Sequence, residues 1–154
     1  MESTVYYPPV SFHFKVEFGF KEELHGVSSN NSDIMFQSVS GLSSELQTET
    51  IKEGGENRFE HELPVRTKFP NLVLKRGLIK DSSLIKWCLN TFQNLEIRPV
   101  DLEVKLLNEE HKPLVTWAVK QAWPKKWTVE DLSAMDSKVL IESLELRYQY
   151  FTIL

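Results

Sequence analysis

Phe12, Phe14, Val16, Phe18 and Phe20 alternate with Ser11, His13, Lys15, Glu17 and Gly19. Period-2 alternation with aromatics on one side is the pattern of a strand with one buried face. The same period returns where Leu102, Val104 and Leu106 alternate with Asp101, Glu103 and Lys105. Pro113 then opens a strand with Val115, Trp117, Val119 and Trp123 on one side. Leu140, Leu144, Leu146, Tyr148 and Tyr150 predict a long last strand, and Val139, Ile141 and Phe151 on its other face argue that its ends are covered on both sides. Shorter strands are predicted from Ile34 to Val39, stopped by Ser40-Gly41, and from Pro70 to Gly77. Pro124-Lys125-Lys126-Trp127 breaks the strand before it, and Thr128 to Asp136 reads as a polar connection. Helical spacing occurs once. Ile85, Cys88, Leu89 and Phe92, widened by Leu84 and Trp87, predict a helix over roughly Ser82–Gln93, capped by Asp81 or Ser82. A helix this short is marginal alone and must lie on a sheet.

One pair of strands does not fit the half-buried pattern. Ser44 to Lys52 and Arg58 to Leu63 flank Glu53-Gly54-Gly55-Glu56-Asn57. Adjacent glycines reach positive φ without steric cost, so Gly54-Gly55 reads as a hairpin tip, and Pro64 ends the return strand. Ser44, Glu45, Gln47, Thr48, Glu49, Thr50 and Lys52 leave only Leu46 and Ile51 to bury. Such a strand is too polar for a monomer's core and too patterned for a loop. Unprotected edges of this kind are paired or covered in an oligomer.

The whole reads as mainly β, about seven or eight strands with one flanking helix. Strand–helix–strand alternation is absent, which favours an antiparallel barrel or sandwich over a parallel α/β sheet. No repeat or linker divides residues 1–154, so a single domain is expected. Tyr6-Tyr7-Pro8-Pro9 is an extended lead-in, and Lys21 to Asp33, with Gly26 and Ser28-Ser29-Asn30-Asn31-Ser32, a surface loop.

Composition narrows the function. A net charge of −4 over 154 residues argues against a surface built to grip DNA or an anionic membrane. The single cysteine, Cys88, excludes an intramolecular disulfide and falls in the apolar stripe of the helix. Met1-Glu2-Ser3-Thr4 lacks the basic start of a signal peptide, and no run approaches the roughly 20 apolar residues that span a bilayer. Synthesis and assembly in the cytoplasm are expected.

Candidate chemistry is sparse. His61-Glu62-Leu63-Pro64-Val65 begins like a zinc-protease motif, but valine stands in place of the second histidine and Pro64 would break the helix. Gly54-Gly55 is followed by no Gly-Lys-Ser/Thr, so it is not a phosphate loop. No serine sits in a nucleophile elbow, and the four histidines are scattered. Neither a catalytic, a metal nor a cofactor site is expected. Trp87, Trp117 and Trp123 read as core. Trp127, after two lysines, reads as an exposed aromatic, either an interface anchor or the stacking residue of a monomeric glycan-binding β-sandwich.

Val39-Ser40-Gly41-Leu42, Lys52-Glu53-Gly54-Gly55-Glu56-Asn57 and Leu63-Pro64 together resemble the tail tube proteins of contractile phages and of extracellular contractile injection particles. Leu72 to Leu78, Trp87, Trp117, Ala122-Trp123-Pro124 and Ile141 to Leu146 continue the resemblance in order, from Phe12 to about Tyr150. It implies a β-barrel subunit similar to the haemolysin-coregulated tube protein of type VI secretion. It also implies rings of six that stack into a hollow tube, inside a contractile sheath that drives the tube through a target membrane. The implied partners are other copies, sheath, baseplate or tube-initiator and tube-terminator proteins, with cargo or DNA in the lumen bound without sequence specificity. The implied location is a released particle or a virion tail. Candidate assembly residues are Glu45, Gln47, Glu49, Lys52, Glu53, Gly54, Gly55, Glu56, Asn57 and Trp127. Three features depart from the pattern: Lys52 in place of arginine, the length of the Lys21–Asp33 loop, and the apolar end Thr152-Ile153-Leu154.

Overall fold

A computed structural model describes residues 13–19, 35–52, 54–55, 58–79, 82–130 and 140–154, with the backbone alone for His13. The expected lead-in at Tyr6–Pro9 and the Lys21–Asp33 loop lie outside these residues. So do Asp81 and most of the polar connection after Val129.

The described residues form ten strands and one helix. The strands are β1 (His13–Gly19), β2 (Met35–Phe36), β3 (Ser38–Ser40), β4 (Glu45–Ile51), β5 (His61–Lys68), β6 (Leu72–Gly77), β7 (Val100–Leu107), β8 (Pro113–Val129), β9 (Ile141–Arg147) and β10 (Tyr150–Ile153). The helix, α1, spans Ser83–Asn94. Every pairing is antiparallel, as non-local alternation without crossover helices requires. The main sheet runs β2-β1-β7-β8-β9-β6-β3, with β10 on β8. Its two ends are consecutive in the chain: Phe36 pairs with Phe14 on β1, and Val39 pairs with Leu74 on β6. The Gln37 amide, between them, donates to the Lys75 carbonyl at 2.9 Å. The predicted Ile34–Val39 strand is thus two short pieces that close the sheet into a barrel. Closure removes most free edges.

Val16, Leu72, Leu74, Val104, Val119 and Leu146 are fully buried inside the barrel. The alternation read from the sequence places Val16, Val104, Val119 and Leu146 inward. Beyond the slip opposite Leu106 and Leu107, two further β-bulges redirect β8. Gln121 sits at φ +56°, its amide held by the Asp101 carboxylate at 3.0 Å, and the register slips there. The slip turns Ala122 inward and leaves Trp123 half-buried opposite Arg147, so Trp117 and Trp123 do not share a face. Pro124 does not break the strand. It is fully buried beside the second slip, between Pro124 and Lys126, where a missing N–H is tolerated. The predicted long last strand is also divided. Tyr148 and Gln149 separate β9 from β10, and Tyr150 is exposed whereas Phe151 packs on the core.

Ser82 caps α1, its hydroxyl accepting from the Ile85 amide at 3.4 Å. The buried face is Leu84, Trp87, Cys88 and Thr91, rotated from the predicted stripe, so Leu89 and Phe92 are partly exposed. Thr91 can be buried because its hydroxyl donates to the Trp87 carbonyl at 3.0 Å. The Trp87 indole meets Phe18 edge-on at 6.1 Å and donates to the Arg98 carbonyl. Burial pushes the Cys88 thiol up to about 12. The native chain should therefore resist thiol reagents at pH 8 and react only after denaturation, a contrast a colorimetric thiol assay reads directly.

A second buried site joins the elements. Arg76 on β6 and Glu142 on β9 are both buried, and Arg76 Nε donates to Glu142 Oε1 at 2.5 Å. Arg76 Nη2 donates to the Ser82 hydroxyl at 2.8 Å, and the guanidinium lies over the Phe36 ring at 5.0 Å. Glu142 Oε2 accepts from the Trp127 indole at 3.2 Å. One ion pair thus ties β2, β6, β8, β9 and the start of α1 together.

Candidate assembly surface

β4 and β5 leave the barrel as a separate two-stranded ribbon, in which every residue is exposed. Alternation puts Glu45, Gln47, Glu49 and Ile51 on one face, opposite Lys68, Arg66, Leu63 and His61. Leu46, Thr48 and Thr50 share the other face with Thr67, Pro64 and Glu62. The register slips between Gln47 and Thr48, which makes Val65 the extra residue and lets the strand continue through Pro64 to Lys68. Pro64 therefore does not end the return strand, as its missing N–H suggested. Pairing stops at Ile51↔His61, so residues 52–60 form the connection, with Gly54 and Gly55 in its turn.

The ribbon is less polar than β4 alone implies. Leu46, Ile51, Phe59, Leu63 and Val65 are each between 45% and 59% exposed. Scattered exposed apolar residues are ordinary, but here five lie on or beside one short ribbon. A two-stranded hairpin is marginal by itself, and these side chains have no sheet of their own to pack on.

The predicted assembly residues divide accordingly. Glu45, Gln47 and Glu49 stand together on one face of the ribbon. Lys52 follows β4 and meets Glu60 at 3.5 Å, an exposed pair of small energetic value. A side chain built on Gly54 or Gly55 meets nothing within 4 Å, and Gly55 has φ +98°. Glu53, Glu56 and Asn57 lie outside the described residues. Trp127 is not an exposed anchor. It is half-buried against the core, with its indole N–H held by Glu142. A glycan-binding reading loses its stacking residue with it. His61 sits on the ribbon against the Phe59 ring, edge-on at 5.0 Å. Among the described residues, no group of three His, Cys, Asp or Glu could hold a metal ion. Nor is any helix long and apolar enough to cross a membrane.

The outer face of β1, β7 and β8 is densely charged. Lys15 lies opposite Lys105 and Glu17 opposite Glu103, pairings that repel across the ladder. Opposite-charge contacts offset this: Glu17 meets Lys15 along the same strand at 2.9 Å and Lys105 diagonally across the ladder at 3.0 Å. Those two lysines hold the Glu17 carboxyl below the usual carboxylate range, and Glu17 in turn raises Lys105. The result is a charged but balanced surface.

A closed barrel that projects an exposed ribbon bearing several apolar side chains has the form of an assembly subunit. The chain belongs to the T4-like virus tail tube protein gp19 family, whose model matches residues 10–152. It is thus a structural tube protein. A solved chain from the baseplate of the anti-feeding prophage, 6-fold symmetrised, is 33% identical, with 97% of each chain covered and a TM-score of 0.78. A chain of the PVC sheath-tube complex in its extended state shares the fold at 24% identity and TM-score 0.75, covering 97% of this chain and 93% of that one. Hcp1 from Flavobacterium johnsoniae has the same fold at 12% identity and TM-score 0.53, covering 91% and 93%. Comparison with curated protein sequences found no match.

Proposed function

We propose that this chain, as one domain over residues 1–154, builds the inner tube of a contractile injection particle or phage-type tail. Six copies form a ring, rings stack, and the β4–β5 ribbon is a contact between copies. The exposed apolar side chains of that ribbon carry the reading, since a lone subunit would leave them in water. The six-fold setting of the anti-feeding prophage relative supports the ring, and the PVC sheath-tube and sheath/tube terminator structures support partners around and at the end of the tube. On this reading a sheath surrounds the tube, a baseplate protein initiates it, and cargo or DNA occupies the lumen without sequence-specific binding. The protein is assembled in the cytoplasm, acts as part of a released particle, and works mechanically rather than as an enzyme.

Gly54→Val and Gly55→Val test the ribbon. Both side chains enter open space, so the barrel should keep its circular dichroism. A β-branched residue at the φ of Gly55 distorts the ribbon's end, and tube formation should be lost. Normal tubes from both variants by electron microscopy would contradict the proposal.

A further inference from the structure

The root of the ribbon is where its direction is decided. β3 pairs with β6 as far as Ser40↔Val73, and the ribbon resumes at Glu45↔Lys68. Residues 41–44 on one side and 69–71 on the other join the two, and neither belongs to a strand. A ribbon on two such connections would swing unless something held them.

The end of β9 holds both. The Tyr148 hydroxyl donates to the Gly41 carbonyl at 3.1 Å. Arg147 Nη1 donates to the Phe69 carbonyl at 2.6 Å and to Asn71 Oδ1 at 3.4 Å. Asn71 Nδ2 donates to Glu145 Oε1 at 2.6 Å. The Phe69 ring adds an aromatic contact, 6.0 Å from Tyr148 and 5.3 Å from Phe151. β9 itself is fixed between β6 and β8, so these groups anchor both connections to the rigid wall of the barrel.

We propose that Glu145, Arg147 and Tyr148 form a clamp on Gly41, Phe69 and Asn71 that fixes the angle at which the ribbon leaves the barrel. They are positioning residues: they act on the contact between copies through the ribbon, and the inference rests on the ribbon being that contact. Fixing the angle matters because apparent affinity falls by the fraction of time a site is correctly presented. A ribbon aimed a tenth of the time would assemble about tenfold more weakly.

The clamp is tested by spin-label distances on the unassembled chain at dilution. Labels go on Glu49→Cys in the ribbon and Lys86→Cys on the helix, both exposed, while buried Cys88 stays unlabelled. The parent should give one narrow distance. Tyr148→Phe, which keeps the ring packing, and Arg147→Gln should each broaden it while the barrel stays folded by circular dichroism. Arg147→Lys, which retains one donor, should recover part of the narrow distribution. A narrow distribution in both Tyr148→Phe and Arg147→Gln would overturn the clamp. Unimpaired tube yield from a chain with a broadened ribbon would overturn its role in assembly. Because the distances are read before assembly, they fail or hold independently of the Gly55→Val experiment.

Discussion

Gly41→Ala is expected to destabilise the barrel by about 3 kcal/mol or more, read as a fall in the urea unfolding midpoint at unchanged slope. Gly41 has φ +93°, and a Cβ there would lie 2.0 Å from the Asn71 carbonyl oxygen and 2.9 Å from its carbon. Both atoms are backbone, so no rotamer change relieves the overlap. The residue can be accommodated only by moving the two connections apart, which breaks the Tyr148 hydrogen bond to Gly41 as well. Gly55→Ala is the matched control. Its φ of +98° is as unfavourable for alanine, but nothing lies within 4 Å. It should cost only about 1 kcal/mol, confined to the ribbon end. Equal midpoint shifts for the two alanines would show that the close approach at Gly41 does not matter.

Arg76→Ala is the second large effect. It leaves the Glu142 carboxylate buried without its guanidinium, a change that costs about 3–5 kcal/mol when one partner of a buried pair is removed. The same substitution takes a donor from the Ser82 cap and uncovers the Phe36 ring. Replacing both partners, as Arg76→Met with Glu142→Leu, should recover much of the loss because no charge is then stranded. Recovery should stop short by about 1–3 kcal/mol, since the Trp127 indole loses its acceptor. A double-mutant cycle by denaturant unfolding measures this. Additive losses from the two single variants would contradict a coupled pair.

Much of this fold was legible because alternation is a local signal. Phe14, Val16, Phe18, Leu102 and Val104 declared their strands and inward faces directly. Where the sequence misled, a bulge was responsible. One extra residue at Gln121 reverses the parity as far as the next slip after Pro124, so Trp123 turns outward and Ala122 inward, and period counting cannot detect the slip. Pro64 and Pro124 misled for the same reason, each sitting beside a register shift that spares a ladder hydrogen bond. Tertiary context likewise rotated the helix, since Thr91 satisfies its own hydroxyl and frees Phe92 to face outward.

The candidate surface was legible as a mismatch rather than as a motif: β4 had too little to bury. Its return strand supplied what the first lacked, with Leu63 and Val65 exposed beside Leu46 and Ile51, and Phe59 exposed just before it. The Arg76–Glu142 pair and the clamp on Gly41 escaped notice because each joins residues far apart in the chain. Arg76, Glu142 and Gly41 nevertheless lie in the segments that carry the family resemblance. In this structure those segments are the joints of the barrel as much as its surface.

The central claim is that the β4–β5 ribbon is covered by another copy in the assembled tube. Cryo-electron microscopy of tubes grown from the purified chain tests it most directly. The predicted result is a six-fold ring in which both faces of the ribbon, Leu46 on one and Ile51 and Leu63 on the other, lie against neighbouring subunits. Rings whose ribbons project into solvent, touching no other copy, would contradict it.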